Sequence, residues 1–379
     1  MDGKELYINF DEYIRQGEPG KRESAYAWST AIGLQAVDGL RTSAYLNELA
    51  RRNIEGEISI DEVGRLLDNY YESKTTREAD DDDKEEADKA SKNIKQILSV
   101  KTFDFSTNGY ISLHRRIFDG VLLRAGKIRD YDITKKEWIL KGDTVNYLNW
   151  EDLRRALDYD IAQEKAFDFT RLTLEEFVRH LCLFVSGLWQ IHAFGEGNTR
   201  TTAVFTIQYL RSLGFNVDND LFAKHSWYFR NALVRANYSN YEKKITRDTS
   251  FLEKFFRNLL MGESHELKNR YMVINPPKEW GLQNIPSTQE TPNKYRTSTE
   301  QVPEQVRAIL SAVGRDQYTL KQLMDKMKLK HRPNFIENYI EPAINNGFLC
   351  LLYPDAPHHP RQKYLLTVKG LAIYNDNDK

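Results

Sequence analysis

Cysteine is scarce in this chain, long apolar runs are missing and the net charge is close to zero; each shortage excludes a class of protein. The two cysteines among 379 residues, Cys182 in a periodic apolar segment and Cys350 in a strand-like one, are too few for a disulfide framework. They read as buried thiols, which fits a reducing, cytoplasmic setting. No stretch approaches the ~18 consecutive apolar residues of a membrane helix, and Met1 to Glu23 is too polar for a signal peptide. A formal net charge of -1 gives no bulk attraction to nucleic acid. What is there is a soluble globular balance, 40% hydrophobic and 29% charged, in a chain long enough for two or three domains.

The most informative segment is Gln190-Ile-His192-Ala-Phe194-Gly195-Glu196-Gly197-Asn198-Thr199-Arg200. Leu174, Phe177, Val178, Leu181, Val185 and Leu188 recur at helical spacing before it, and Thr173 with Glu176 predicts a capping box, so a core helix over 173 to about 190 is expected. A second helix is expected from Thr199 to Leu213, stopped by Gly214. The segment is then a loop running into a helix N-terminus, where free N–H groups and the helix dipole favour an anion and glycines let it approach the backbone. His192 is suited to take a proton near neutral pH, Glu196 to bind Mg²⁺, and Arg200 to hold phosphate oxygens in a charged fork.

These residues resemble the signature of Fic-domain proteins, His-x-Phe-x-Asp/Glu-Gly-Asn-x-Arg, and the likeness extends over roughly residues 105 to 265. The resemblance implies transfer of AMP from ATP, with Mg²⁺, to a hydroxyl-bearing side chain of a target protein or of the chain itself. It assigns His192 as general base, Glu196 as Mg²⁺ ligand, Gly197 and Asn198 to the α-phosphate cradle and Arg200 to the β/γ-phosphates, with Gly195 and Thr199 also expected among the nucleotide-binding residues. Asn237 falls where similar proteins place an adenine contact. Three positions depart from the pattern: Ala193 replaces a proline, Thr199 replaces glycine or the Doc-branch lysine, and Ala203 replaces a second arginine. Transfer of another phosphate-containing group, or a DNA-binding regulator with an inactive core, remain as alternatives.

Gly126 to Tyr147 reads as a β-hairpin with Gly142 and Asp143 in its turn. By the resemblance it is a flap that pairs with an extended target segment through Val145, Asn146 and Tyr147. Residues 1–104 read as a helical regulatory region, with helices over Ala25 to Leu40, Ser43 to Asn53 and, from the Ser59-x-x-Glu62 cap, through Tyr71. Residues 32–59 resemble the antitoxin-like segment of some Fic proteins, whose Ser/Thr-x-x-x-Glu-Gly motif appears here as Leu34 and Asp38-Gly39. Asp38 is therefore the candidate inhibitory residue, aimed at Arg200. Arg77 to Lys89, with eight acids against three bases, reads as a solvated loop over 76–89 or a frayed helix end.

After the 105–265 core, a Pro-rich linker is expected over 266–300 and then three short helices and a hairpin over 301–375. That order resembles a winged helix-turn-helix domain. Residues 301–379 hold eleven Lys or Arg against eight Asp or Glu. Lys326, Lys328, Lys330, His331 and Arg332 precede the third helix, while Glu337 and Glu341 on it oppose DNA, so DNA and protein partners both remain open. The expected fold is mainly α, a Fic-type helical core with a β-hairpin flap and a small C-terminal winged helix. No membrane contact is expected, and a homodimer is compatible with the pattern.

Overall fold

The buried face of one helix organises the molecule. In the computed structural model, which describes residues 10–217, 220–277, 280, 302–357 and 359–377, α9 (Asn198–Ser212) is buried from Asn198 through Leu210. Its threonines are satisfied locally: Thr201 Oγ1 donates to Gly197 O at 2.9 Å, Thr206 Oγ1 to Thr202 O at 2.7 Å, and Thr202 shares a hydrogen bond with Tyr110 Oη at 3.0 Å. The threonine hydroxyls of this buried helix therefore stand in the core with partners.

Around it stand α6 (Thr107–Ile117), α7 (Leu153–Ala166), α8 (Leu174–Ile191), a single turn α10 (Leu221–Lys224), α11 (Ser226–Asn237) and α12 (Ser250–Met261). The predicted capping box of α8 is present, with Thr173 and Glu176 bonding each other's backbone N–H. Leu174, Phe177, Val178, Leu181, Cys182, Val185, Leu188 and Trp189 form its buried face.

The N-terminal region consists of α1 (Asp11–Gln16), α2 (Pro19–Gly33) ending in a 3₁₀ turn at Leu34–Asp38, α3 (Ala44–Glu55) and α4 (Ile60–Glu72). Gly39 and Gly56 take the left-handed conformation at the two predicted stops. The acidic run departs from expectation in part. Residues 76–80 are exposed and non-helical, as expected of a solvated loop, but from Asp81 the run belongs to an 18-residue helix, α5 (Asp81–Leu98). Asp81 to Asp83 complement its N-terminal dipole, while Ala87, Ala90, Ile94 and Ile97 bury its other face. Asp88 is buried with them, accepting from Ser43 N at 2.8 Å, Ser43 Oγ at 2.5 Å and Tyr71 Oη at 2.8 Å.

The predicted flap also differs. Residues 126–149 form an extended strap, and no strand ladder is present there among the described residues. Trp138–Leu140 coils into a 3₁₀ turn, closed by Glu137 N–H to Asp143 O and Gly142 N–H to Glu137 O, both 2.9 Å. The expected turn residue Gly142 is left-handed.

The C-terminal unit has α13 (Glu304–Val313), α14 (Leu320–Lys326), and a third helix running Arg332–Asn345 as α15 (Arg332–Phe335), a π turn (Ile336–Ile340) and α16 (Glu341–Asn345). Strands β1 (Leu349–Leu351) and β2 (Tyr364–Leu366) pair antiparallel, with Cys350 opposite Leu365, and α17 (Val368–Asn377), absent from the expectation, closes the unit. Cys350 is half-buried rather than buried. This unit is docked on the core. Asn375 Nδ2 donates to Leu172 O at 2.8 Å, and Gly214 and Gly347 approach so closely that a Cβ on Gly214 would lie 2.4 Å from Gly347 O. Of the expected linker, residues up to 277 are strapped down, with Ile274 N–H on Ile139 O at 2.9 Å and Met272, Val273 and Ile274 buried; 278–279 and 281–300 lie outside the described residues. No helix among the described residues is long and apolar enough to cross a membrane.

Candidate active site

The loop between α8 and α9 begins with a reversal of the chain. His192 ends α8 with φ 51°, a left-handed conformation that a β-carbon disfavours. Arg129 holds it there: its Nε donates to His192 O at 2.8 Å, its other nitrogens reach Tyr131 O and Leu148 O, and its backbone N–H donates to Ala193 O at 2.9 Å. One buried guanidinium thus fixes both the reversal and the end of the strap.

His114 fixes the far side of the loop. Gly126 N–H donates to its Nδ1 at 2.8 Å, so Nε2 carries the proton and donates to Glu196 O at 3.1 Å. Burial pushes the His114 imidazole down to about 4, keeping it neutral for this task. Phe194 stacks on the His114 ring with centroids 3.7 Å apart. Asn198 closes the turn, its Oδ1 accepting from Phe194 N at 2.9 Å and its Nδ2 donating to Phe194 O at 2.7 Å.

The imidazole of His192 is 3% exposed, and neither ring nitrogen has a hydrogen-bond partner among the described residues. Tyr147 covers it with ring centroids 4.1 Å apart. Burial, reinforced by the Lys135 charge, holds it well below the ordinary histidine range, so it stands as a neutral base at pH 7. Gly197 has φ 70°, and a Cβ there would meet the Phe118 ring at 2.2 Å; at Gly195 it would meet Tyr131 Oη at 2.6 Å. Only glycine keeps this cradle open. Glu196 is exposed beside a cavity of about 400 Å³ that Arg124, Lys127 and Tyr131 also line.

Arg200 is 1% exposed, and every nitrogen of its fork faces the N-terminal region. Nη1 donates to Gln35 Oε1 at 2.9 Å and Nη2 to Glu86 Oε1 at 2.6 Å. Asp38 Oδ2 lies 2.8 Å from Nε, at an angle that makes an ion pair but no hydrogen bond. The guanidinium also lies over the Phe118 ring, 4.6 Å from its centroid.

The structure therefore brings His192, Gly195, Glu196, Gly197, Asn198, Thr199, Arg200 and Asp38 into one site. Thr199 Oγ1 is taken up by Trp189 Nε1 at 3.0 Å. Asn237 is buried between α11 and α8, its amide nitrogen donating to Ser186 O at 2.9 Å and Leu233 O at 3.0 Å, so that group is occupied by helix packing. In the strap, Val145 is a core residue with 2% exposure and offers no side chain to a target; this corrects its place among the target-facing residues. Asn146 is exposed, its carbonyl accepting from Gln190 Nε2 at 2.9 Å. Ala203 is fully buried and adds no polar group to the site.

Sequence reasoning missed Glu86, Gln35, Arg129, His114 and the Glu137–Arg230 pair. Glu137, 1% exposed on the strap, accepts from Arg230 Nη1 at 2.7 Å and from Tyr147 Oη at 3.2 Å, tying the cover of His192 to α11. Arg129 and Glu137 carried a signal, as charges within a predicted hairpin. Gln35, Glu86, His114 and Arg230 come from other elements.

Comparisons with known proteins bear on the same segments. Residues 104–210 match the Fic/DOC family, and residues 304–367 match the domain described as Filamentation induced by cAMP protein Fic-like, C-terminal domain. Over 243 residues the chain is 26% identical to protein adenylyltransferase VbhT of Bartonella schoenbuchensis, covering 62% of this chain and 49% of that protein. The chain thus spans about half the length of this curated relative. A crystal structure of a Fic family protein from Desulfovibrio desulfuricans G20 aligns over 95% of this chain and 91% of that chain, at 16% identity and a TM-score of 0.40.

Proposed function

Because this chain belongs to the Fic/DOC family and carries a Fic-like C-terminal domain, we propose that it transfers AMP from ATP to a hydroxyl side chain of a protein, itself included. The observation that carries this reading is the buried, neutral and unpartnered imidazole of His192 beside a glycine cradle that any Cβ would fill. Distant likeness to an adenylyltransferase supports it.

In this reaction the target oxygen bonds to the α-phosphorus, the bond to the β-phosphate breaks, and pyrophosphate leaves. His192 removes the hydroxyl proton as that bond forms. The open backbone at Gly195 to Asn198, at the N-terminus of α9, favours the charge that develops on the phosphoryl oxygens. Glu196 is the exposed carboxylate of the loop and the residue that would hold Mg²⁺, whose charge screens the phosphates. Tyr147 and the strap cover the base and exclude water. Arg200 is the cation for the outer phosphates, and in this structure its fork is occupied by Gln35, Asp38 and Glu86. The N-terminal region is thus a restraint that must yield for ATP to seat productively.

The test is incubation of the full chain with ATP and Mg²⁺, followed by intact-mass measurement. A gain of one AMP is the expected result. A different added mass overturns the choice of group, and no addition with any tested protein, even after the restraint is removed by mutation, overturns the activity.

The winged-helix unit supports a second role. Lys326, Lys328, Lys330, His331 and Arg332 are all exposed at the start of its third helix. Such a cluster suits phosphate contact with duplex DNA, while exposed Glu337 and Glu341 suit a protein partner.

A further inference from the structure

We propose that the junction of the N-terminal helices, the core and the winged-helix unit holds a binding site for a small phosphate-bearing anion, with Lys95 at its centre. A cavity of about 780 Å³ lies there, walled by α2, the C-terminal ends of α5 and α9, and the last turn of α16. Pockets that hold small molecules run to ~300–1,000 Å³.

Lys95 lines this cavity from α5 and is only 9% exposed. Among the described residues its ammonium has no hydrogen bond and no carboxylate partner; burial alone pulls it below the ordinary lysine range. The stem is covered while Nζ itself is not sealed from the cavity, and a charge so largely withdrawn from bulk water gains from an anionic partner. Here the side chain is aimed at open space large enough to hold the partner. Gln208, 6% exposed, faces the same space from α9, and its side-chain amide has no partner among the described residues. Two largely buried side chains that line the same cavity are therefore without a protein partner among the described residues.

The charge around them sets the ligand's class. Lys95, Lys101, Arg211 and Lys369 line the cavity against a single carboxylate, Glu23. Arg211 and Lys369 partly serve helix-end carbonyls, donating to Leu98 O at 2.9 Å and Asn346 O at 3.0 Å. Lys95 and Lys101 carry no such bond among the described residues. The surplus of cations matches a di- or polyanion, and the Gln208 amide can donate to phosphoryl oxygens. Leu98, Val100 and Phe103 leave one wall apolar, which accommodates an organic portion as well.

The experiment is thermal denaturation of the full chain with and without millimolar pyrophosphate at constant ionic strength, for wild type, Lys95→Met and Lys101→Glu. Pyrophosphate should raise the wild-type Tm by a few degrees. Lys95→Met should abolish the rise, and should itself melt higher than wild type without ligand because the unpaired charge is gone. Lys101→Glu, at an exposed position that the fold does not need, should weaken the rise. No rise in wild type overturns the proposal, as does a rise undiminished in Lys101→Glu or in Lys95→Met.

Discussion

Glu86 Oε1 lies 2.6 Å from Arg200 Nη2, joining the helix of the acidic run to the helix that follows the glycine loop, across 114 positions of sequence. Asp38, the residue that the antitoxin-like segment singled out, approaches the same guanidinium without hydrogen-bond geometry, and its side chain is 32% exposed. Arg200 is buried, so the aligned contact outweighs the misaligned one.

Removing Glu86 should therefore release more activity than removing Asp38. Glu86→Ala is expected to raise the initial rate of auto-modification on the order of 10-fold, the equivalent of ~1.4 kcal/mol of lost restraint. Asp38→Ala should raise it less. Both are read by intact mass at matched ATP and Mg²⁺, with circular dichroism to show retained helix. Equal rates in wild type and folded Glu86→Ala would show that this contact is packing alone.

His192→Ala should lower transfer by ~10²–10⁴-fold, the usual contribution of a general base, while nucleotide affinity changes little. Calorimetric titration alongside the rate assay separates the two. A large loss of affinity with a matching loss of rate would assign His192 to binding instead.

Glu196 is the exposed carboxylate of the cradle, so Glu196→Ala should shift the Mg²⁺ concentration for half-maximal rate upward, because a hard cation loses an oxygen ligand. An unshifted Mg²⁺ titration refutes this role.

Stability should depend on pH through opposed buried groups. Burial holds the Asp88 carboxyl up to about 6 against an ordinary 3.8. Its contribution is full below pH 3.8 and is lost as pH rises through 6. His114 is pushed down to about 4 from 6.5, so its contribution is full above pH 6.5 and is lost as pH falls through 4. Each is worth ~3 kcal/mol, and they nearly cancel between pH 4 and 6. His192, depressed in the same sense as His114, tips the balance toward weakening in acid. Asp88→Asn removes the compensation, and urea denaturation should then show a steeper decline from pH 6 to 4 than in wild type. Parallel curves would contradict the assignment.

Lys330→Ala with Arg332→Ala tests the exposed basic cluster. If it contacts phosphates, the double variant should bind duplex DNA more weakly whatever its sequence, with a flatter salt dependence. Absence of wild-type binding at low salt would leave the protein-contact reading.

The sequence by itself determined whatever depends on neighbours along the chain. Apolar spacing and the Thr173–Glu176 box specify α8, Gly39 and Gly56 specify helix ends, and the eleven residues from Gln190 specify the cradle, because a capped turn and an N-terminal anion site are local objects. The winged-helix order was legible for the same reason: its helices and hairpin each carry their own pattern. Tertiary structure decided the rest. The acidic run became a helix because Ala87, Ala90, Ile94 and Ile97 had a surface to cover and Asp88 had Ser43 and Tyr71 to bond; charge count along the chain cannot show either. In place of a ladder, strap carbonyls are taken up by side chains, Leu148 O by Arg129 of the strap itself and Asn146 O by Gln190 of α8, while Arg230 of α11 holds the Glu137 carboxylate. The fork of Arg200 was assigned to phosphate, yet its partners Gln35, Asp38 and Glu86 converge from two separate segments. Only the packing of the N-terminal helices against α9, which buries that guanidinium, makes their convergence matter.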